Sequence, residues 1–175
     1  MKTNIPIYRA KKLYSDEYVK GFLYQDLICY IPSDGFKPDE YKKYYFDYFS
    51  RGIDTYLYML KNETIGFISF NIDSINIPGY AKNFEGFGHL AELYVVNEFR
   101  GKGISNALIS TFENIMLEQN IKKLYLVDIC NNDQFWIKLG YIDAKILVEE
   151  ENGKVFTKEL YNEDQLLELL FFILI

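Results

Sequence analysis

The chain has 175 residues, a net charge of −6, and a composition that is 49% hydrophobic and 18% aromatic. That length predicts one domain, residues 1–175, able to bury roughly two thirds of its unfolded surface without a covalent staple. Cys29 and Cys130 are too few for a disulfide framework, the single His89 cannot build a zinc centre unaided, and the acidic balance argues against nucleic acid while suiting a cationic small molecule.

The opening MKTNIPIYRAKKLY holds no apolar run of signal-peptide length, which predicts a cytoplasmic protein. Ile5 to Leu13 alternates as a first strand. Ser15, Asp16 and Glu17 signal a helix start, and Val19, Phe22, Leu23 and Leu27 then supply an apolar face. Pro32, Gly35 and Pro38 break it before a second helix, Asp39 to Phe49, that ends near Gly52. Thr55 to Leu60, a turn at Lys61-Asn62-Glu63, and Ile65 to Ile72 read as a hairpin. Asp73 to Gly88 has no regular period and reads as a loop or a bent strand extension.

Next comes an apolar strand through Leu93, Tyr94, Val95 and Val96, and then Arg100-Gly101-Lys102-Gly103. A helix from Gly103 to Glu118 carries Ile104, Leu108, Thr111, Phe112 and Ile115 on one side, with Asn120 suited to its left-handed C-terminal cap. Leu124 to Val127 form a fifth strand and Gln134 to Leu139 a short helix. Ile142 to Val148 and Lys154 to Leu160 are strands six and seven, joined across Glu151-Asn152-Gly153. The tail, Glu163 to Ile175, ends in seven consecutive apolar residues from Leu169. It is too short to span a bilayer and predicts an amphipathic helix docked on the body or on a second subunit, the second arrangement giving a homodimer.

The strand, the glycine-rich loop and the helix make a site for a phosphate. Glycines at 101 and 103 let the backbone bend and bring successive N–H groups near an anion. The first turn of the helix adds donors without intrahelical partners and the positive end of the helix dipole. Arg100 and Lys102 contribute exposed charges, each worth little. The spacing is neither that of a nucleoside triphosphatase loop nor that of a dinucleotide fold.

Arg100-Gly101-Lys102-Gly103-Ile104-Ser105 resembles the R-x-x-G-x-G/A signature of the GNAT family of acyl-CoA N-acyltransferases, with Ser105 at a position where the family has Gly or Ala. Leu93-Tyr94-Val95 matches the family's fourth strand. Phe135-Trp136-Ile137-Lys138-Leu139-Gly140-Tyr141 is similar to its F-Y-x-K-x-G-F segment, and together the likeness covers roughly residues 54 to 160. The resemblance implies an α/β (α+β) fold: a mixed, mostly antiparallel central sheet of six to seven strands flanked by helices, with strands four and five splayed. It also implies acetyl-CoA as co-substrate and no metal. On it, the backbone of Leu93, Tyr94 and Val95 holds pantetheine, the amides from Gly101 to Ser105 hold the pyrophosphate, Asn131 or Asn132 reaches the pantetheine amides, and Trp136 lies along the pantetheine.

Amine attack on a thioester needs a base for the ammonium proton and is helped by an acid for the departing thiolate. Glu92 on strand four is the candidate base, its pKa raised by partial burial; a carboxylate paired with a surface lysine is the competing reading. The family often has a tyrosine where this chain has Trp136, whose indole N–H is no proton donor of suitable pKa. Tyr141 is the candidate acid and Tyr125 a nearby phenol; another tyrosine, water or an unassisted thiolate are the alternatives. The predicted activity is acetyl transfer to a primary amine of a small cationic molecule, such as an aminoglycoside-type antibiotic or a polyamine. A protein N-terminus or lysine as acceptor, a non-catalytic acyl-CoA-binding module and a purely structural protein are the rivals.

Overall fold

A computed structural model describes residues 7–9, 52–60 and 63–161. The expected helices over 15–27 and 39–49, Cys29 and the apolar tail lie outside these residues. So does most of the expected first strand, of which β1 is Ile7–Arg9. In chain order follow β2 (Asp54–Leu60), β3 (Glu63–Ile72), β4 (Gly88–Val95), a 3-10 turn (Asn97–Phe99), α1 (Ile104–Glu118), β5 (Lys123–Asp128), α2 (Asp133–Lys138), β6 (Ile142–Val148) and β7 (Gly153–Glu159). The seven strands are hydrogen-bonded in the order β1-β2-β3-β4-β5-β7-β6. β4 with β5 is parallel, while β1 with β2, β2 with β3, β5 with β7 and β6 with β7 are antiparallel. This is the mixed, mostly antiparallel sheet the resemblance implies. The residues divide into two compact units, 1–71 with 91–110, and 72–90 with 111–175.

In the first unit, β2 alternates: Thr55 and Leu57 are buried, Tyr56 and Tyr58 half-buried. β3 is buried continuously from Ile65 to Asn71, which is what a strand covered on both faces requires. Gly66 makes one of those faces possible. A Cβ there would stand 3.0 Å from the Tyr94 carbonyl oxygen and 3.3 Å from Ile104 Cγ2, so its absence lets the start of α1 approach the strand backbone. The buried Thr55 and Ser69 hydroxyls satisfy each other at 2.9 Å, and Phe67 stacks on Tyr94 at 5.9 Å.

In the second unit, Gly88–Leu90 pair with Leu124–Leu126. β4 therefore begins at Gly88, earlier than the apolar run at Leu93 suggests. Gly88 is tightly packed there: a Cβ would meet Leu124 Cδ2 at 2.6 Å and Met116 Sδ at 2.7 Å, so those side chains would have to shift to admit one. β6 carries an irregularity between Asp143 and Leu147, where Lys145 adopts φ 59° and its amide is held by Asp143 Oδ1 at 2.7 Å. Such a bulge twists an edge strand and blunts its pairing capacity.

The long helix forms because Ile104, Leu108, Phe112 and Met116 recur every fourth residue, and all four are buried. Each such side chain contributes about 1.5–3 kcal/mol on burial. It ends at Asn120 in the left-handed conformation, φ 60°. Ile121 N donates to Met116 O at 2.8 Å and Asn120 N to Leu117 O at 2.9 Å, the paired bonds of a Schellman cap. α2 ends the same way: Gly140 has φ 83°, Tyr141 N donates to Trp136 O and Gly140 N to Ile137 O, both at 3.0 Å.

Candidate functional site

The glycine loop has the geometry its sequence predicts. Gly101 and Gly103 adopt φ 73° and 79°, a left-handed region that other residues enter only at a cost. A Cβ built on either would find no atom of the described residues within 4 Å. Ala107 N donates to Gly103 O at 3.1 Å, which makes Gly103 the N-cap. The amides of Ile104, Ser105 and Asn106 are then the first-turn donors that an α-helix leaves without intrahelical acceptors. Two glycines in left-handed conformation lead into a fifteen-residue helix, and such a turn presents N–H donors suited to an anion.

The two cations of the loop are folded back. Arg100 Nε donates to Val95 O at 2.9 Å and its guanidinium lies 5.7 Å from the Tyr94 ring, while Lys102 Nζ lies 4.9 Å from the Phe99 ring. Arg100 thus staples the loop to the end of β4, a role the sequence does not announce. It also engages one of the strand carbonyls that the resemblance assigns to pantetheine. Leu93, Tyr94 and Glu92 are half-buried on the same strand, and Glu92 Oε2 is shielded from solvent. The parallel pairing of β4 with β5 ends at Leu90, two residues before Glu92. This is the splay the resemblance implies.

In the second unit, Asp128 organises the turn after β5. Its Oδ1 accepts from Cys130 N at 3.0 Å and its Oδ2 from Asn132 N at 2.5 Å, so a buried carboxylate fixes the backbone on which Asn131 and Asn132 stand. Sequence reasoning passed over Asp128; an Asp four residues before a helix N-cap is the available signal. Both asparagine side chains are exposed, and Asn131 sits at φ 56°. Trp136 is only 7% exposed. It packs edge-on to Phe135 and Tyr141, and its Nε1 makes no hydrogen bond among the described residues.

Tyr141, the candidate acid, is 2% exposed. Trp136 lies 5.7 Å from its ring on one side and Lys158 Nζ 5.3 Å away, with that lysine donating at 2.8 Å to both Glu113 and the Leu139 carbonyl. Burial first, and then the Glu113 charge, push the phenol well above its ordinary pKa. Those are the surroundings of a core residue, not of a donor facing a cleft.

Tyr125 and His89 are withdrawn from chemistry as well. Tyr125 donates to Asp73 Oδ2 at 2.5 Å, and burial followed by the Asp73 interaction raises its pKa. It lies between Phe84 at 4.4 Å and His89 at 4.7 Å, both stacked, and Tyr80 closes on His89 edge-on at 5.0 Å. Burial pushes the His89 imidazole down to about 3, so it is neutral at physiological pH. This column pins the aperiodic segment 73–87, whose base is closed by Asp73 N to Phe87 O and Gly86 N to Asp73 O, both 2.8 Å. No group of three or more His, Cys, Asp or Glu able to hold a metal occurs among the described residues. No helix among them is long and apolar enough to cross a membrane.

A family model described as acetyltransferase (GNAT) family matches residues 13–141, a stretch that runs through both units. No curated protein matches the sequence. Among solved structures, the chain is similar to the PaiA N-acetyltransferase of Thermoplasma acidophilum in complex with coenzyme A. That pair shares 18% identity over 85% of this chain and 82% of the other, with a TM-score of 0.54. A GNAT family acetyltransferase of Elizabethkingia anophelis with acetyl-CoA bound shares 16% identity over 91% and 100%, TM-score 0.60. The NatC complex bound to Gag peptide and CoA shares 17% over 89% and 98%, TM-score 0.57. At these identities the likeness establishes the fold.

Proposed function

The chain belongs to the GNAT acetyltransferase family, and from that membership we propose that it moves acetyl from acetyl-CoA to the primary amine of a small cationic molecule, of the aminoglycoside or polyamine kind, by direct attack in a ternary complex. The acyl-CoA-dependent N-acetyltransferase activity is the family's; the acceptor class rests on the net charge of −6, which favours a cation. We take residues 1–175 as one domain. We place it in the cytoplasm, where an exposed free thiol such as Cys130 stays reduced.

The observation that carries the reading is the cradle at Gly101 and Gly103 on the N-terminus of α1. The amides of Gly101 to Ser105 would hold the pyrophosphate, and the backbone of Leu93 and Tyr94 the pantetheine arm. Bound acetyl-CoA supplies the thioester carbonyl. Glu92 takes the ammonium proton, directly or through one water, and leaves the amine nucleophilic. With Tyr141 and Tyr125 buried in packed and hydrogen-bonded surroundings, we assign no side chain to the leaving thiolate; water or unassisted departure serves.

The test is thiol release from acetyl-CoA across a panel of aminoglycosides, polyamines and peptides with free N-termini or lysines. Turnover with the cations and none with the peptides is expected. Turnover with peptides alone overturns the acceptor class, and peptide is the second reading because one similar structure is a complex bound to a peptide and CoA. Gly103→Asp, which places a carboxylate and a strained backbone in the cradle, should abolish CoA binding. A folded Gly103→Asp chain that binds CoA as wild type does removes the loop as the phosphate site.

A further inference from the structure

Among its described residues the second unit has an apolar groove that the acetyltransfer reading does not use. A cavity of about 570 Å³ is lined by Ile142, Ala144 and Ile146 of β6 together with Phe84 and Phe87. Ile142 is 69% and Ile146 45% exposed. A contiguous apolar surface of this kind marks an interaction site.

Where the chain goes next identifies the occupant. Tyr161, the last described residue of the unit, itself lines the groove. Leu160 N donates to Lys122 O at 2.7 Å, so the chain leaves β7 beside Lys122 and Lys123, and the residues that follow include the acidic pair Glu163 and Asp164. Lys123 is also part of the groove wall, and its charge is opposite to that of those carboxylates. Beyond them come Leu166, Leu167, Leu169, Leu170 and a run of apolar residues to Ile175. In helical form, residues 163 to 175 reach about 20 Å, whereas Ile142 to Ile146 span about 13 Å of strand. The segment is long enough to cover the face, and its tether at the groove's rim raises its effective concentration to the millimolar range of short linkers.

We propose that the groove on β6 is the docking site of the chain's own segment 163–175, held in cis with its leucines on Ile142, Ala144 and Ile146. The test is a cross-link in the full chain. With Cys29 and Cys130 replaced by Ser, Ile146→Cys and Leu170→Cys are joined by a short bis-maleimide and the product is mapped by mass spectrometry. An intrachain link is expected. An interchain link, showing that the segment seats on a second copy, or no link at all, overturns the proposal. A second measurement needs no cysteine: Ile142→Asp with Ile146→Asp should speed chymotryptic cleavage within 166–175 at least tenfold while β5 and β7 stay protected. If those substitutions unfold the chain, the cross-link decides. Unchanged cleavage in a folded variant overturns the proposal.

Discussion

His89 is the only histidine in the chain, so its titration can be isolated by one substitution. It is 2% exposed and its pKa lies near 3 against an ordinary 6.5. Between those two values the unfolded chain binds a proton that the folded chain refuses, and stability therefore falls as the pH is lowered through that window. At 1.36 kcal/mol per unit, acidification from pH 7 to pH 4 should remove about 3 kcal/mol on account of this residue alone. His89→Phe keeps an aromatic ring against Tyr125 and Tyr80 and has nothing to titrate. Urea unfolding of both proteins at pH 7, 6, 5 and 4 gives a difference in which the carboxylates, common to both, cancel. The wild type should lose ground on the variant progressively below pH 6.5. Parallel curves would refute the reasoning, since they require His89 to titrate alike in both states and hence not to be desolvated by Tyr125 and Tyr80.

Glu92→Gln should leave CoA binding and melting temperature in place while lowering single-turnover rate about 100-fold or more, and the acidic limb of the pH profile should flatten; a structural ion pair predicts lost stability with an unchanged rate. Acetyl-CoA at about 100 times its dissociation constant adds roughly 2.7 kcal/mol, which for this length raises the melting temperature by about 5–11 °C, and no shift would remove the site. Gly79→Ala places a Cβ 1.7 Å from the Tyr125 hydroxyl and 2.9 Å from His89 Cγ, in a stack with no slack. A loss of about 3 kcal/mol is expected in denaturant unfolding, part of it returned by Tyr125→Phe, and additive effects of the two substitutions would show that the clash is relieved elsewhere.

Local rules carried the reading wherever the governing contacts lie within a few residues. The burial of Ile104, Leu108 and Phe112, the left-handed Asn120 and the glycine turns at 101 and 103 depend on neighbours in the chain, so they were legible in the order of the letters, whereas the helix buries Met116 where the expected face had Ile115. The edges were less so. β4 starts at Gly88 because residues 124–126 offer a parallel partner and Met116 and Leu124 crowd that position, and neither reason is local. The fates of the ionisable groups were decided only by the tertiary structure. Tyr125 meets Asp73 across fifty-two residues, Arg100 turns back onto Val95, and Tyr141 is enclosed by Trp136 and by a lysine that also holds Glu113. Spacing along the chain shows which chemical groups are present and where an anion can sit. Whether a phenol or an imidazole faces solvent or is sealed in the core depends on desolvation, a property of everything packed around it and of no single stretch of sequence.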